Sequence, residues 1–422
     1  MKKILPLFSL LLIALVTNPC TEGLIISDFT EDGRPIHWKL RMWTGSNRLI
    51  YWDNDTNNDG IPDSDYDKNG ISDEFAFLGI RSNTNIHPNY ENPMMGLNEA
   101  GFSIGITIVG SAKMSNTNPL MTHPLCHIES INQYEEFINS CPGVIDSYKN
   151  SWSNMNNYGV MDRFGNCVEF EYEKKSEYEC IWRKYDASDE RRKNITIPNN
   201  DRINLFGIVA RANKFIDRGL TGNLVEMQSE LDASGRYSDA CINMAKLKEG
   251  KISVLKLLQG DSNNLQTISN PVLRRTVVSQ PSTNCSSMII QGVLPTESPL
   301  LSVFWAVMGH SDFSIAVPIW VNGVKYDDNK LPPVNTTTEI DTENISYYAD
   351  NLRIKEIYAN RVQQHILPLE SKFYHEVNNL LLPYWRSLNW SDKSSMELVG
   401  KEMNRYQNQT AKDAYSLMRF LY

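Results

Sequence analysis

Strand-like segments recur through residues 24–320 of this chain, helical spacing takes over from residue 344, and no β-α-β-α alternation joins them. β-rich runs fall at 24–28, 35–43, 102–109, 167–172, 205–210, 287–293, 300–308 and 313–320. Between them, 131–140 reads as a short amphipathic helix and 236–258 carries helical spacing. Near the end Ile354, Ile357, Tyr358, Val362, Ile366 and Leu367 follow the i, i+3, i+4 series of one apolar helix face. A doubly wound parallel sheet needs alternation, so the pattern favours an α+β fold of packed sheets flanked by helices.

Residues 1–19 read as an export signal. Lys2 and Lys3 precede an apolar run over 4–16, too short to span a bilayer. The cleavage site is not of the usual small-x-small kind, because Thr17, Asn18 and Pro19 stand there. Directly behind lies Cys20, followed by Thr-Glu-Gly-Leu-Ile-Ile-Ser, which reads as a buried strand. Removal of the leader at that bond makes Cys20 the first residue of the mature chain. Cleavage elsewhere leaves an ordinary strand cysteine. The expected location is secreted or periplasmic. No other stretch approaches 18 consecutive apolar residues, so the mature form is expected to lack a membrane span.

A net charge of −9 offers no basic footprint for nucleic acid. Much of that charge is local, with eight carboxylates against one lysine between Asp53 and Glu74. There Asp55-Thr-Asn57-Asn-Asp59-Gly-Ile-Pro-Asp63 is followed, at a period of ten, by Asp65-Tyr-Asp67-Lys-Asn69-Gly-Ile-Ser-Asp73. Oxygen ligands at alternate positions, then Gly and Ile, make the first half of an EF-hand loop. The bidentate Glu of a full loop is missing, since Tyr66 and Ala76 stand at the twelfth positions. The segment resembles the short calcium repeats of thrombospondin type 3 and dockerin-like proteins. Asp55, Asn57, Asp59, Asp63, Asp65, Asp67, Asn69 and Asp73 are the candidate ligands of a structural calcium, in an insertion over 53–74. A solvated acidic loop is the alternative.

Seven cysteines are present: Cys20, Cys126, Cys141, Cys167, Cys180, Cys241 and Cys285. An exported chain invites disulfides, and Cys126–Cys141 and Cys167–Cys180 are the local pairs that proximity suggests; buried thiols are the alternative. Cys20 is the odd one.

A cysteine thiol is nucleophilic as its thiolate. At a chain start, an α-amine with an ordinary pKa near ~7.7–8.0 can take the proton, so no separate histidine is needed. A Cys20–His37 pair is a competing arrangement. The Cys-Thr start, the Glu31-Asp-Gly33 turn, Gly96-Leu-Asn-Glu-Ala-Gly-Phe102 and Met161-Asp-Arg-Phe-Gly-Asn-Cys-Val-Glu-Phe170 come in the order seen in N-terminal nucleophile hydrolases. More closely, the chain resembles the linear-amide group, which holds the choloylglycine hydrolase and penicillin V acylase family and the acyl-coenzyme A:6-aminopenicillanic acid acyltransferase family. Ala210-Arg-Ala-Asn213-Lys-Phe215, Ser234-Gly-Arg236-Tyr237, Gly250-Lys-Ile-Ser-Val254 and Phe304-Trp-Ala-Val-Met-Gly-His310 extend the resemblance over roughly residues 20–320.

The resemblance implies a four-layer αββα sandwich over 20–330, with 344–422 a helical extension packed on it. It implies Cys20 as nucleophile and base, Asn213 as an oxyanion donor and Arg236 as the charge ordering the N-terminus. The family's early Arg falls at Lys39, with Arg41 the alternative. Two positions depart from the pattern: an Asp expected after that Arg falls at Met42, and an Asn expected after the Asn-Glu-Ala-Gly turn falls at Ile108. The implied activity is hydrolysis of linear amides through a thioester, after loss of the leader by signal peptidase or self-cleavage. Acyl transfer is the same chemistry with another acceptor. A calcium-dependent surface binding protein that keeps the fold without catalysis is the reading of a different class. The expected partner is a small-molecule amide, with no organic cofactor, and a homo-oligomer is compatible with the sequence. Trp38, Trp43, Tyr51 and Trp52 serve either as an acyl pocket or as core. His123 and His127 are spaced i, i+4, but Pro124 between them argues against a helical metal site.

Overall fold

The computed structural model describes residues 20–43, 46–55, 65, 72–83, 93–108, 118–140, 155–174, 180–196, 202–212, 216–218, 226–228, 236–249, 251–259, 284–309, 314–326, 331–333 and 352–421. The leader lies outside them. Directly after Cys20 the chain forms β1 (Thr21–Ile25), buried throughout, and returns as β2 (Ile36–Trp43). Gly33 turns the chain between them at φ 73°, in the left-handed region that glycine adopts without strain.

A meander follows: β3 (Ser46–Trp52), β4 (Phe77–Asn83), β5 (Pro93–Asn98), β6 (Ser103–Ile108), β7 (Met155–Met161), β8 (Cys167–Lys174) and β9 (Cys180–Asp186). These seven strands form one antiparallel sheet in sequence order. Between β6 and β7 stand α1 (Pro119–His127) and α2 (Ile131–Asn139). The short strands β10 (Ile195–Thr196) and β11 (Arg202–Ile203) pair with each other. β12 (Ile208–Ala212) then rejoins β1, and β13 (Ile216–Arg218) pairs with β14 (Glu226–Gln228). Two helices come next, α3 (Arg236–Glu249) and α4 (Val254–Gln259). β15 (Asn284–Gln291), β16 (Val303–Met308) and β17 (Ala316–Ile319) complete a six-stranded sheet in the order β12-β1-β2-β15-β16-β17. The chain ends in α5 (Val321–Lys325), α6 (Leu352–Glu376), a π-helical turn at Val377–Leu381, α7 (Leu382–Arg386) and α8 (Lys393–Leu421).

The two sheets pack face to face, with β1 and β2 over β7 and β12 over β8. On the outer face of the six-stranded sheet lie α3, α4, α6 and α8, whose Tyr237, Met244, Leu257, Ile366 and Met403 share one apolar cluster with Trp38, Leu40 and Trp305. On the other sheet, α1 and α2 bury Leu125, Tyr134 and Ile138 against Ile104, Ile106 and Phe170. The order helices, sheet, sheet, helices is the α+β layering expected.

The 236–258 segment is two helices, not one: Lys251 takes φ 56°, which no α-helix continues, and α4 starts three residues later. Helix α1 runs through Pro124, so that residue does not break the helix that carries His123 and His127. Proline deprives the carbonyl four residues back of its usual donor, and here the Tyr134 hydroxyl donates to Leu120 O at 3.4 Å. The two local disulfides do not form. Cys126 and Cys167 are buried thiols in the two cores, as is Cys241, while Cys180 is disulfide-bonded to a partner outside the described side chains. In the core, apolar neighbours favour a neutral thiol, and burial pushes Cys167 well above the ordinary range. No helix among the described residues is long and apolar enough to cross a membrane.

Candidate active site

Cys20 stands one residue ahead of β1 and is 2% exposed. Thr21 pairs with Leu40 on one side and Ala212 on the other. One further step of the antiparallel register sets Cys20 against Arg41. On the other flank the same step carries Cys20 just past Ala212, the last described residue of β12. Side chains alternate along a strand, so Cys20, Glu22 and Leu24 share a face with His37, Lys39, Arg41 and Arg211. That face is turned to the second sheet: a Cβ built on Gly105 of β6 would lie 2.5 Å from Glu22 Oε2. The opposite face is helix-side, where the Trp38 ring covers Gly23 and would meet a Cβ there at 2.6 Å.

The register separates the two candidates for the early basic residue. Lys39 pairs with Glu22, not with the Cys20 end. Its Nζ donates to Ile106 O and lies 3.5 Å from Glu22 Oε2. Arg41 is the fully buried cation at the Cys20 level, across from Ser286 of β15. His37 is four residues further along β2, about 13 Å at the usual strand rise. Its Nδ1 is 3.0 Å from Ser103 Oγ and its Nε2 is 3.8 Å from Glu22 Oε2. Burial holds its pKa below the ordinary 6.5, and its two ring nitrogens are directed at Ser103 and Glu22.

Asn213 itself lies outside the described residues, but the peptide leading into it is held. Ala212 O accepts hydrogen bonds from Asn157 Nδ2 at 2.9 Å and Thr107 Oγ1 at 3.3 Å, both from the opposite sheet. Arg236 is the first residue of α3, a helix packed on β1 and β12; its side chain is not among those described. Met42 and Ile108 occupy strand positions opposite Cys285 and Asn156.

The sequence reading missed a buried ionic layer beside Cys20. Glu22 lies in register between Lys39 and Arg211. From β8, Glu169 faces Glu22 across the gap. Glu171 accepts from Tyr185 Oη at 2.9 Å and lies 3.8 Å from Arg211 Nε. The Arg211 guanidinium also sits 4.2 Å above the Tyr185 ring. Burial alone would raise Glu22, but Lys39 and His37 outweigh it and hold this carboxyl below its ordinary value. Burial and the Glu22 charge together push Glu169 well above the ordinary 4.5.

Of the proposed calcium ligands only Asp55, Asp65 and Asp73 are described; Asn57, Asp59, Asp63, Asp67 and Asn69 lie outside. Asp55 and Asp73 are buried and Asp65 is exposed. Asp73 accepts from Trp52 Nε1 at 2.8 Å and faces His127 Nε2 at 3.7 Å, so it ties the end of the insertion to α1. Asn54 Nδ2 donates to Glu74 O at 2.8 Å and closes the base of the insertion. His123 stacks on Phe137 at 4.3 Å. Among the described residues no cluster of His, Cys, Asp and Glu is set to hold a metal. Of the aromatics weighed as an acyl pocket, Trp38 is core, while Tyr51 and Trp52 hydrogen-bond Asp53 and Asp73 at the insertion.

No protein-family model matches the sequence, and no curated protein does. Among solved structures the chain is similar to a mutant of the conjugated bile acid hydrolase from Clostridium perfringens, at 11% identity and a TM-score of 0.37, over 74% of this chain and 94% of that one. It is similar to penicillin V acylase from Agrobacterium tumefaciens at 10% identity and a TM-score of 0.37, over 71% and 85% of the two chains. A third is the Caenorhabditis elegans N-acylethanolamine-hydrolyzing acid amidase ortholog, at 12% identity and a TM-score of 0.29, over 66% and 94%. These similarities are remote, and the chemistry of the site is read from this chain's own residues.

Proposed function

We propose that this chain is an exported amidohydrolase that cleaves linear amides with Cys20 as its N-terminal nucleophile. The observation that carries this is the seat of Cys20: at the head of β1, on the inter-sheet face, with Arg41 one register step beyond the Thr21–Leu40 pair and the clamped Ala212 carbonyl on its other flank. Loss of residues 1–19 frees the Cys20 α-amine. That amine takes the thiol proton, directly or through water, and the thiolate attacks the amide carbonyl. Negative charge collects on the carbonyl oxygen, where Asn213 is the proposed donor; one such donor is worth about 2.7–4 kcal/mol in the transition state. The intermediate collapses, the C–N bond breaks, and the proton held by the α-amine leaves with the amine product. Water then adds to the thioester, and its collapse returns the thiol. An amine in place of water gives acyl transfer.

Arg41 takes the role of the early basic residue, because Lys39 is committed to Glu22 and Ile106 O. Arg236, at the head of α3, is proposed to order the N-terminus electrostatically. The acidic insertion is proposed to hold a structural calcium. Of its described residues, Asp55, Asp65 and Asp73 are the candidate ligands, and Asp73 also accepts from Trp52 and faces His127.

The test is covalent. Mature protein incubated with iodoacetamide should take one label, mapped to Cys20 by peptide mass spectrometry, and Cys20→Ala should take none and turn over no member of an amide panel. Acyl-amino-acid, bile-salt and phenoxyacetyl amides are the panel to use. Full turnover by Cys20→Ala would refute the proposal.

A further inference from the structure

Strands buried on both faces ordinarily carry Val, Ile and Leu. β1 instead carries Glu22 on its inner face, two residues from Cys20, and the opposite sheet is shaped to receive it. Gly105 of β6 and Gly159 of β7 are register partners, and together they leave a notch in the inner face of the seven-stranded sheet. Glu22 fills that notch. A Cβ on Gly105 would lie 2.5 Å from Glu22 Oε2; one on Gly159 would lie 3.1 Å from Glu169 Oε2 and 3.2 Å from Glu22 Oε2. The two carboxyl groups, one from each sheet, therefore meet over Gly159.

We propose that Glu22 and Glu169, seated as one carboxyl pair in the Gly105–Gly159 notch, are positioning residues that set where Cys20 stands against the opposite sheet. The proposal rests on Cys20 being the nucleophile. From β2 the pair is faced by His37 and Lys39, with Arg41 beyond them. From β12 it is faced by Arg211, and from β8 and β9 by Glu171 and Tyr185 behind that guanidinium; Tyr134 of α2 lies within electrostatic reach. β6 and β7 contribute Ser103, Thr107 and Asn157 around the glycines. Against its burial, Lys39 and His37 hold the Glu22 carboxyl below its ordinary value, while burial and the Glu22 charge push Glu169 well above its own, so Glu169 is the member of the pair that holds its proton to higher pH. Loss of that proton sets two like charges in a dry notch, and the strand that carries Cys20 must shift to relieve them.

The experiment reads the rate of Cys20 carbamidomethylation by iodoacetamide in the mature protein as a function of pH, with a melting curve at each pH. Glu169→Gln keeps the shape of the protonated acid but cannot ionise. Wild type should show two steps, one from the α-amine and one from the pair, and Glu169→Gln should lose the second while melting as a folded protein. Gly105→Ala, which pushes a methyl into the notch against Glu22 Oε2, should slow labelling at every pH. An unchanged pH profile in folded Glu169→Gln, or an unchanged rate in folded Gly105→Ala, would overturn the proposal while leaving the nucleophile in place. A wild-type Cys20 that takes no label at any pH would remove the nucleophile, and the proposal with it.

Discussion

On the face of the six-stranded sheet turned to the helices, β2 presents Ile36, Trp38 and Leu40; on the face turned to the second sheet it presents His37, Lys39 and Arg41. All six are 0–1% exposed. The helix-side residues stabilise in the ordinary way, each contributing about 1.5–3 kcal/mol by leaving water. The inner-face cations cannot be explained so. Removing charges from water costs several kcal/mol per ion, and a buried pair often does no better than an apolar one of the same volume. Two faces of one strand, equally dry, thus differ in what they are for. One holds the fold together. The other holds an ionic layer next to Cys20 that stability alone does not require.

The sharpest way to break this contrast is to neutralise one residue on each face. Lys39→Met leaves the Glu22 carboxylate buried without its main cation and should cost about 3–5 kcal/mol in urea unfolding. Adding Glu22→Gln should recover most of that. Leu40→Ala should cost about 2–5 kcal/mol through the cavity it opens, and Glu22→Gln should bring no relief. Equal behaviour of the two faces in this cycle would mean that the inner layer is only another part of the core.

A smaller effect comes from pH. Glu169 holds its proton in the folded chain well above the ordinary 4.5, so between that value and its folded pKa the native state binds more protons than the unfolded one. Its contribution is full below about 4.5 and is lost as pH rises, at up to about 1.4 kcal/mol per pH unit. His37 runs the other way. Burial keeps it neutral, so the unfolded chain binds the extra proton below 6.5, and stability is lost as pH falls through that range. Glu169→Gln should remove the decline with rising pH and leave the acid limb of His37. A wild type whose unfolding free energy is flat from mildly acid to alkaline pH would contradict the assignment.

The smallest effect lies outside both faces, in the acidic insertion. Chelation by EDTA should lower the melting temperature by a few degrees, as expected for loss of an ion bound only by the native state. The pH slope of the inner layer should stay unchanged. An identical melting curve with and without chelator would remove the calcium proposal.

Much of this architecture is legible in the amino-acid order. The turn at 162–166 is marked by Asp162 and Gly165. In the structure Asp162 Oδ1 accepts from Phe164 N and Asn166 N at 3.0 Å, and Gly165 takes φ 88°. The head of β1, the hairpin into β2 and the β7–β8 hairpin follow from apolar runs and their turns, whereas β3, β4, β5 and β9 of the meander are not among the segments that read as strands. The ionic layer is not legible in the same way. In Cys167-Val-Glu-Phe-Glu-Tyr172 the alternation reads as one buried and one solvated face, yet Glu169 and Glu171 point into a second sheet and are as buried as Val168 and Phe170. Period two reports which residues share a face, not what covers it. Glycines paired across strands, such as Gly105 and Gly159, are a signal that shows only once the register is known. Lys39 and Arg41 raise the same difficulty: they lie on one face, two residues apart, and only the register shows that Lys39 is the one opposite Glu22.

The most direct measurement is N-terminal sequencing of the exported protein. Edman degradation should read Cys-Thr-Glu-Gly, leaving the thiol of Cys20 beside an unblocked amine. A mature chain that starts at any other residue, or a blocked Cys20, would contradict the mechanism at its first proton transfer.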